Sequence, residues 1–518
     1  MSEWLERRRR SVGWALFGLT LLLVGATLTS PGVVWDEPFY FSSAQRQAIW
    51  ARVLLSEGPA AALDRNTVFE LWDWEHYRNP HPPVYKEAMA LTWSLTGWLV
   101  GPLAGYRLAS ALLFAGLVAL AFRWGTAAWG GVAGLGAALS ILLMPRLFGH
   151  AHFGATDTPL MAFWVAATAA GWWAIERRER RAWLLVGLAW GLAAGTKFTG
   201  LLAVGPLLAW GLWRDPRTTI RGLPMAALVG VVTFWALNPM LWVDPGGFLG
   251  PWFWESLHRG DYAPISTHYL GRTYEFSVPW HHVFVMTIAV TPIGILLLSG
   301  IGVARGLRRR DPTVALAAAT VASLWLLMLL PGAPHHDGVR QFIVLFPFLA
   351  MLAGYGLGEV WTVVAGTTRW VVAAAVFLSA AAQLAWVHPH YLAYYGEGVG
   401  GVAGARALGF ETTYWMDAYT GPVLRWMNRE VPPDGSVFVF GEPLALQFQQ
   451  AYGRLRPDIR LTSSPDADFV LVQMRQGMMD EAMARAIRRT RPAYELELQG
   501  VPLVAIYQVN PDPSSPGE

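Results

Sequence analysis

Cysteine is absent from the 518-residue chain, and lysine occurs only at positions 86 and 197. Without cysteine the chain can form no disulfide, no catalytic thiolate and no cysteine-ligated metal site. Charged residues are also scarce: they make up 14% of the chain, whereas about 25% is usual in a soluble globular protein. Hydrophobic residues reach 54%, and tryptophan occurs 28 times; tryptophan is enriched at membrane–water interfaces. This composition indicates an integral membrane protein.

Apolar stretches long enough to cross a bilayer recur along the chain, and we predict about eleven transmembrane spans from them. Arg7–Arg10 precede the first stretch, and no small-residue cleavage motif follows it. We therefore interpret this stretch as a retained span rather than a cleaved signal peptide. The predicted spans are residues 12–29, 107–126, 131–148, 158–175, 182–196, 198–213, 222–238, 283–302, 313–330, 339–358 and 370–387.

The distribution of arginine orients these spans. With Arg7–Arg10 on the cytoplasmic side, every second loop is cytoplasmic, and those loops hold most of the loop arginines, as the positive-inside rule requires. On the same ground, residues 88–104 are predicted to be a re-entrant or interfacial helix. Residues 182–213, with Lys197 near their middle, are predicted to be a two-pass hairpin. The odd number of crossings places the C-terminus on the outer side.

Two domains are expected. Residues 1–387 are predicted to form an all-α polytopic membrane domain, whose first outer loop (30–106) carries interfacial helices. From residue 388 the chain turns polar, and residues 388–518 are predicted to form a small extracytoplasmic α/β domain. The periodicity predicts strands at 436–440, 468–474 and 501–509 and helices at 443–452 and 479–489. The tail, residues 510–518, is predicted to be disordered.

The polar residues that could perform chemistry fall on the predicted outer side, as do all twelve histidines. Asp36 and Glu37 follow the first span directly, and Asp157 begins the fourth. A carboxylate at the hydrocarbon boundary is desolvated and usually has a partner or a task. Asp36 and Asp157 could equally be helix N-caps, and that alternative stays open. Glu70, Asp73 and Glu75 of the first outer loop are expected to be ordinary solvated surface.

Two outer cations complete the candidates. Lys86 follows a proline-rich entry, and Arg340 lies at the start of the tenth predicted span, against the positive-inside pattern. The planar guanidinium of arginine binds phosphate well, although both side chains could instead extend to lipid headgroups. A divalent metal is possible but not favoured, because no HExxH motif occurs and adjacent histidines on a helix diverge. If a metal were required, its candidate ligands are His150, His152, Asp36 and Asp157.

Five motifs occur in an order that resembles the GT-C membrane glycosyltransferases. They lie at residues 35–38, 81–86, 148–159, 195–200 and 335–340. Within that group the chain is similar to protein O-mannosyltransferases and to the bacterial aminoarabinose transferases that modify lipid A. The resemblance covers about residues 1–400. Residues 394–401 and 414–417 resemble unassigned bacterial members whose acceptors are unknown.

The resemblance implies an inverting transferase that moves a hexose or pentose from a polyprenyl-phosphate carrier to an acceptor hydroxyl, on the outer face of the plasma (inner) membrane. It implies that Asp36 is the general base, that Asp157 orients acceptor or donor, and that Lys86, Arg340 and His335 hold the leaving phosphate. The expected partners are this donor, a lipid, glycan or protein acceptor, and membrane lipids, without nucleic acid. The candidate residues are Asp36, Glu37 and Asp157 as catalytic residues, and His81, Tyr85, Lys86, His335, His336 and Arg340 as substrate- or phosphate-binding residues.

The chemistry of such a reaction agrees with these residue types. An acceptor hydroxyl needs a positioned base, and an anionic phosphate leaving group needs cations. Two other functions remain open. A transporter or flippase predicts internal repeats and polar groups at mid-membrane, and a scaffold protein predicts an outer domain that binds a partner. Neither predicts that Asp36, Asp157 and Arg340 all lie at span ends.

Overall fold

The computed structural model describes residues 1–73, 81–258, 265–275, 277–441 and 443–509. Glu75, predicted to be solvated surface, and the predicted disorder of residues 510–518 lie outside the described residues. Long helices dominate the chain up to residue 387. The α-helices of this part are Ser2–Arg7, Arg9–Thr27, Glu37–Ser56, Pro59–Ala62, Arg65–Val68, Val84–Val100, Pro102–Trp129, Gly131–Leu143, Pro145–His150, Asp157–Glu176, Ala182–Ala194, Gly205–Arg214, Pro216–Ala236, Met240–Val243, Pro245–Leu257, His282–Ala289, Ile293–Arg308, Pro312–Met328, Leu345–Val363 and Thr368–Trp386.

Six of the described helices are long and apolar enough to cross a membrane, and a bent helix pair brings the number to seven. The six helices are Arg9–Thr27, Pro102–Trp129, Asp157–Glu176, Pro216–Ala236, Leu345–Val363 and Thr368–Trp386. Three shorter apolar helices, Gly131–Leu143, Ala182–Ala194 and Pro312–Met328, also fall within predicted spans. The prediction of a mostly helical polytopic membrane fold is confirmed, whereas the count of about eleven crossings stays a prediction.

The predicted span 283–302 is a broken pair of helices rather than one continuous helix. His282–Ala289 and Ile293–Arg308 are separated by a break and bent by 120°. Pro292 causes the break, because proline lacks the N–H that would continue the helix and disfavours helical conformation at Thr291 before it. The N–H of Ile293, left without a helical acceptor, donates to Glu397 Oε2 at 3.1 Å. The break is thereby hydrogen-bonded from the segment that follows the last predicted span.

The predicted start of the tenth span also differs. The helix begins at Leu345, and Arg340–Phe342 form a 3₁₀ turn before it. Asp337 and Gly338 both have positive φ, 60° and 65°, a conformation that interrupts regular helix. Arg340 therefore projects from an irregular connection rather than from the first turn of a span.

Tight helix packing builds the interior of the membrane part. Helix Leu345–Val363 lies against Gly131–Leu143 and Ile293–Arg308 at glycine positions. A Cβ at Gly354 would lie 2.4 Å from the carbonyl oxygen of Ala133, and one at Gly302 would lie 2.0 Å from that of Leu352. Small residues at such contacts let helix backbones approach closely, which is how membrane helices gain packing energy.

The C-terminal part carries a mixed sheet. The strands of the chain are β1 Thr267–Tyr269, β2 Arg272–Tyr274, β3 Ser436–Val439, β4 Arg460–Thr462, β5 Phe469–Gln473, β6 Tyr494–Leu498 and β7 Val501–Gln508. β1 and β2 form a hairpin, and the other five are ordered β4-β3-β5-β7-β6, with β3 parallel to β4 and β5 and with β7 antiparallel to β5 and β6. The helices here are Gly401–Ala407, Gly421–Glu430, Leu444–Ala451 and Glu481–Arg489.

The predicted strands and helices of this region match observed elements within a few residues, while β4, β6 and the helices Gly401–Ala407 and Gly421–Glu430 were missed. Both strands lie at the edges of the sheet, where short length and exposed charge are common. β4 has only three residues, and β6 alternates but carries two exposed glutamates. Packing continues across the predicted domain boundary at residue 388. Tyr391, for example, lies 5.3 Å from Phe148, ring centroid to ring centroid. The division into domains 1–387 and 388–518 stays a prediction.

The predicted orientation can be tested with topology reporters. We expect a reporter fused after Val509 to be active only in its non-cytoplasmic form. A reporter inserted beside Arg309 should be active only in its cytoplasmic form, because that loop is strongly basic. Finding both positions on one side of the membrane would contradict the predicted crossings between them.

Candidate active site

Three segments that are distant in sequence meet around the guanidinium of Arg340. Its Nη2 donates to Asp36 Oδ2 at 2.7 Å, and its Nε donates to Asp157 Oδ2 at 3.0 Å. A third carboxylate, Asp337, accepts from Nη1 at 2.8 Å. Charge-assisted pairs at these distances are the strong class of protein hydrogen bonds. The structure thus brings together Asp36, Asp157 and Arg340, which the sequence had placed at three separate span ends.

Neither predicted carboxylate caps its helix. Asp36 occupies the N-cap position of helix Glu37–Ser56 but makes no side-chain capping bond. Thr156, not Asp157, is the N-cap of helix Asp157–Glu176. Both carboxylates are directed instead to Arg340, so the alternative of a helix cap does not apply to either residue.

Exposure distinguishes the carboxylates. The Asp36 side chain is 28% exposed, whereas those of Asp157 and Asp337 are 1% and 6% exposed. A carboxylate that reacts with an incoming hydroxyl must be reachable, whereas one that only positions a cation can be buried. Of these carboxylates, Asp36 is therefore the one that an acceptor can approach.

Asp157 is surrounded by further donors. Lys197 Nζ lies 3.5 Å from its Oδ1, and His150 Nδ1 lies 3.4 Å from its Oδ2. Lys197 reaches it because helix Ala182–Ala194 ends before the extended residue Lys197 (φ −153°). Burial lowers the pKa of His150, and Asp157 opposes this effect, so the imidazole is neutral near pH 7. The buried Asp157 carboxylate is thus balanced by two full positive charges, those of Arg340 and Lys197.

The predicted outer domain contributes directly to the cluster. The Trp415 ring lies beneath Arg340, with 3.5 Å between the guanidinium carbon and the ring centroid, a favourable cation–π contact. Trp415 and Met416 have φ of 60° and 63°, and such left-handed residues cost about 1–3 kcal/mol each unless the surroundings hold them. The strained pair presents the indole to Arg340.

Arg475, which follows β5, extends the ion-pair chain. Its Nη1 lies 2.9 Å from Asp337 Oδ1, and its Nε donates to Glu411 Oε1 at 3.3 Å. Burial raises the pKa of Asp337, but Arg475 and Arg340 outweigh this and lower it, so the carboxylate is ionised. Burial raises the pKa of Glu411 to about 7, against the opposing effect of Arg475. Asp337 therefore links two buried arginines.

Sequence reasoning missed several members of this cluster: His150 as a partner of Asp157, Lys197, Asp337, Trp415 and Arg475. Asp337 precedes Arg340 by three residues, and Lys197 interrupts an apolar hairpin, so both offered a signal. Trp415 lies in a motif that we singled out for its resemblance alone. Arg475 stands apart from every motif, and no spacing could have linked it to Asp337.

Glu37 has a different environment from Asp36. Its carboxylate is fully buried and receives both Nε and Nη2 of Arg107 at 2.7 Å. It also accepts from the N–H groups of Val34 at 3.0 Å and Gly154 at 2.8 Å. These contacts tie helix Pro102–Trp129 to the backbone on either side of the Arg340 cluster. These contacts support a positioning role for Glu37. None of them supports the catalytic role that the sequence predicted for it.

Lys86 and His81 lie beside Tyr40, one turn along the helix from Asp36. The Lys86 ammonium donates to the His81 carbonyl at 2.5 Å and lies 5.9 Å from the Tyr40 ring centroid. The His81 ring stacks on the same tyrosine at 6.3 Å. Tyr85 is directed elsewhere, with its hydroxyl 2.5 Å from Ser110 Oγ inside the core. Lys86 and His81 are thus near the Arg340 cluster, whereas the Tyr85 side chain packs in the core.

The two histidines of the loop before Arg340 have separate contacts. The His335 ring lies 5.4 Å from that of His282, and burial lowers the pKa of His335 to about 4. A neutral imidazole can offer a phosphate a hydrogen bond but no charge. His336 Nε2 lies 3.1 Å from Gln341 Nε2. The proposed cationic role of this loop therefore falls to Arg340.

Among the described residues, no group of three or more histidine, aspartate and glutamate side chains is arranged to hold a metal ion. His152, one of the candidate ligands, has both ring nitrogens engaged, Nδ1 with the Phe148 carbonyl and Nε2 with Thr27 Oγ1, each at 2.8 Å. We expect activity to survive a chelator within a few-fold. Complete loss that a single divalent ion restores would instead make His150, Asp36 and Asp157 the first ligands to test.

Comparison with known proteins places this geometry in context. Residues 80–242 match the family model described as dolichyl-phosphate-mannose-protein mannosyltransferase. A search of curated proteins found no match. The structure is similar to that of ArnT from Cupriavidus metallidurans bound to undecaprenyl phosphate, with 16% identity, a TM-score of 0.51 and coverage of 95% of this chain and 98% of that one.

A second similar structure is the archaeal oligosaccharyltransferase AglB from Archaeoglobus fulgidus, in complex with an inhibitory peptide and a dolichol-phosphate. It shows 10% identity and a TM-score of 0.50 over 89% of this chain and 61% of that one. At such identities the likeness concerns the fold. The chain has the fold of the GT-C membrane glycosyltransferases and resembles the protein O-mannosyltransferases and the aminoarabinose transferases.

Proposed function

We propose that this protein is an inverting glycosyltransferase of the plasma (inner) membrane. It moves a hexose or pentose from a polyprenyl-phosphate carrier to an acceptor hydroxyl on the outer face. The observation that carries the proposal is the partly exposed Asp36 carboxylate, held at 2.7 Å by a buried arginine whose other contacts fix its position. A lipid-linked sugar enters from the bilayer, so the outer boundary of the membrane is where such a site is needed.

Asp36 acts as the general base. As the acceptor oxygen bonds to the anomeric carbon, its proton passes to the Asp36 carboxylate. The bond between that carbon and the phosphate oxygen breaks, and its electron pair leaves with the polyprenyl phosphate. Attack opposite to the leaving phosphate inverts the anomeric centre. Glu37 does not take part in this proton transfer; it holds the loop through Arg107.

Arg340 has two tasks in this scheme. Its contacts with Asp36, Asp157 and Asp337 use three of its five N–H bonds. Its first task is to orient the Asp36 carboxylate, and the two remaining N–H groups can donate to a phosphate oxygen. Lys86, beside Tyr40, supplies the point charge that stabilises the departing phosphate. Asp157 orients Arg340, and His81, His335 and His336 contribute hydrogen bonds around the donor.

The acceptor is a lipid, glycan or protein hydroxyl, and the likeness of fold supports a carrier of the polyprenyl-phosphate kind. The carriers named for the similar structures, undecaprenyl phosphate and a dolichol-phosphate, share the same phosphate and isoprenoid chemistry. A transporter or flippase is the alternative function, and it leaves the sugar–phosphate bond intact.

The test is incubation of the purified chain in detergent or nanodiscs with a panel of polyprenyl-phosphate sugars, with and without a membrane extract as acceptor. We expect acceptor-dependent release of free polyprenyl phosphate. The matched control is Asp36→Asn, which should bind the donor without releasing free polyprenyl phosphate from it. Movement of intact donor across the membrane of proteoliposomes, without release of polyprenyl phosphate, would favour the transporter instead.

A further inference from the structure

A basic cavity lies at the end of the membrane part opposite to the Arg340 cluster. Its volume is about 650 Å³. Two segments line it: the C-terminal end of helix Asp157–Glu176 and the connection between helices Gly205–Arg214 and Pro216–Ala236. A helix of 20 residues is about 30 Å long, so this cavity is about one bilayer thickness away from Asp157. It is a separate site from the one that we assign to transfer.

The charge in the cavity is unbalanced. Four arginines line it, Arg178, Arg214, Arg217 and Arg221, together with two acids, Glu176 and Asp215. Both acids are already engaged. Glu176 receives the Nε of Arg214 at 2.6 Å, and Asp215 caps its helix through the N–H and hydroxyl of Thr218 at 3.1 and 2.8 Å.

Three guanidinium groups form no ion pair within the described part of the chain: those of Arg178, Arg217 and Arg221. The Thr218 hydrogen bonds and, at longer range, the Arg178 charge lower the pKa of Asp215. Arg217 and Arg221 are one helical turn apart and so lie on the same face. Arg178 comes from a different segment and has a left-handed backbone, φ 54°, which is uncommon for a residue with a side chain. The fold thus gathers unpaired cations from two segments around one cavity.

The surface next to the cavity is apolar. Leu212, Trp213, Ile220 and Leu223 are exposed on the same two helices, and the Trp213 side chain is 65% exposed. Exposed tryptophan is favoured at the level of lipid headgroups. Unpaired arginines directly above an exposed apolar surface match a lipid whose phosphate is held in the cavity while its acyl chains run along the helices.

We infer that this cavity binds an anionic phosphate group, and that its occupant is the phosphate of an anionic membrane glycerophospholipid. Arg178, Arg217 and Arg221 hold the phosphate oxygens. Arg214 lines the cavity but is neutralised by Glu176. The bound lipid bridges helix Asp157–Glu176 and the helix pair Gly205–Arg214 and Pro216–Ala236. It therefore stabilises the junction between them.

The test uses the purified full-length chain in mixed micelles that contain dioleoyl phosphatidylglycerol or dioleoyl phosphatidylcholine, which have the same acyl chains. Bound lipid is counted by native mass spectrometry, and thermal unfolding is followed in parallel. We expect the anionic lipid to be retained preferentially and to raise the unfolding temperature. Arg217→Gln with Arg221→Gln should lower its retention by roughly tenfold or more, because two arginine–headgroup contacts are lost. Both side chains are exposed, so these changes open no core.

The matched control is Arg308→Gln with Arg310→Gln, which removes the same charge from another arginine-rich loop. Equal loss in the two double variants would overturn the proposal, because attraction would then be a property of net charge rather than of the cavity. Inorganic phosphate at millimolar concentration distinguishes the source: if it displaces the lipid completely, the site is one for free phosphate and the lipid assignment is wrong. Because the readout is binding, this result is independent of sugar transfer.

Discussion

Asp36→Asn is expected to abolish transfer while the protein still folds and binds donor. Asparagine keeps the shape of the side chain and an oxygen for Arg340 Nη2, but it cannot take the acceptor proton. Removal of a general base typically lowers the rate by about 10²–10⁴-fold. Arg340 retains Asp157 and Asp337 in this variant, so the unfolding temperature should change little. The measurements are polyprenyl phosphate release per folded molecule and thermal unfolding of the same preparation.

Glu37→Gln is the matched control, because it makes the same change at the adjacent carboxylate. It removes a fully buried ion pair with Arg107, and breaking such a pair typically costs about 3–5 kcal/mol of stability. We therefore expect a lower unfolding temperature and a smaller loss of rate per folded molecule. Retention of more than about a tenth of the activity by Asp36→Asn would be a smaller loss than the removal of a base usually causes. If this is found while folded Glu37→Gln is inactive, the base has been assigned to the wrong residue of the pair.

Replacement of Arg340 is expected to damage both activity and stability. From sequence alone we would expect Arg340→Ala to impair donor use far more than folding, since no core is opened. The structure revises that expectation, because alanine leaves the buried Asp157 with one basic partner, Lys197, beside His150, and the buried Asp337 with Arg475. Removing one member of a buried charge cluster typically costs several kcal/mol. Arg340→Ala should therefore lose transfer together with a large decrease in unfolding temperature.

Arg340→Lys separates charge from geometry. A lysine keeps the positive charge but cannot reach three carboxylates at once or stack flat on Trp415. We expect it to regain much of the stability yet to transfer sugar roughly 10²-fold more slowly, the usual effect of misplacing a reacting group by about 1 Å. Arg309→Lys, which alters an ion pair with Glu359 far from the site, should keep full activity. Full activity of Arg340→Lys would mean that charge alone is needed at this position.

The hydrophobic part of the sequence analysis agrees with the structure, since helices occur in every predicted span, whereas the orientation deduced from arginine placement stays a prediction. Asp36, Asp157 and Arg340, singled out as polar residues at span ends, lie together in the structure. Local patterns failed where proline or positive φ intervened, as at Pro292 and at Asp337–Gly338. They also missed the two edge strands: β4 has only three residues, and the short alternating stretch of β6 was not recognised as a strand.

The sequence by itself determined the membrane character, the helical class of the fold and the residue types available at the ends of the apolar stretches. The length of an apolar stretch and the placement of arginine beside it are local properties of the sequence, and both act directly on membrane insertion. Only the tertiary structure decided which carboxylate of the Asp36–Glu37 pair faces Arg340 and which is buried against Arg107. It alone brought Trp415 and Arg475 to the cluster, because ion pairs and ring stacking depend on distances between segments that no spacing along the chain encodes.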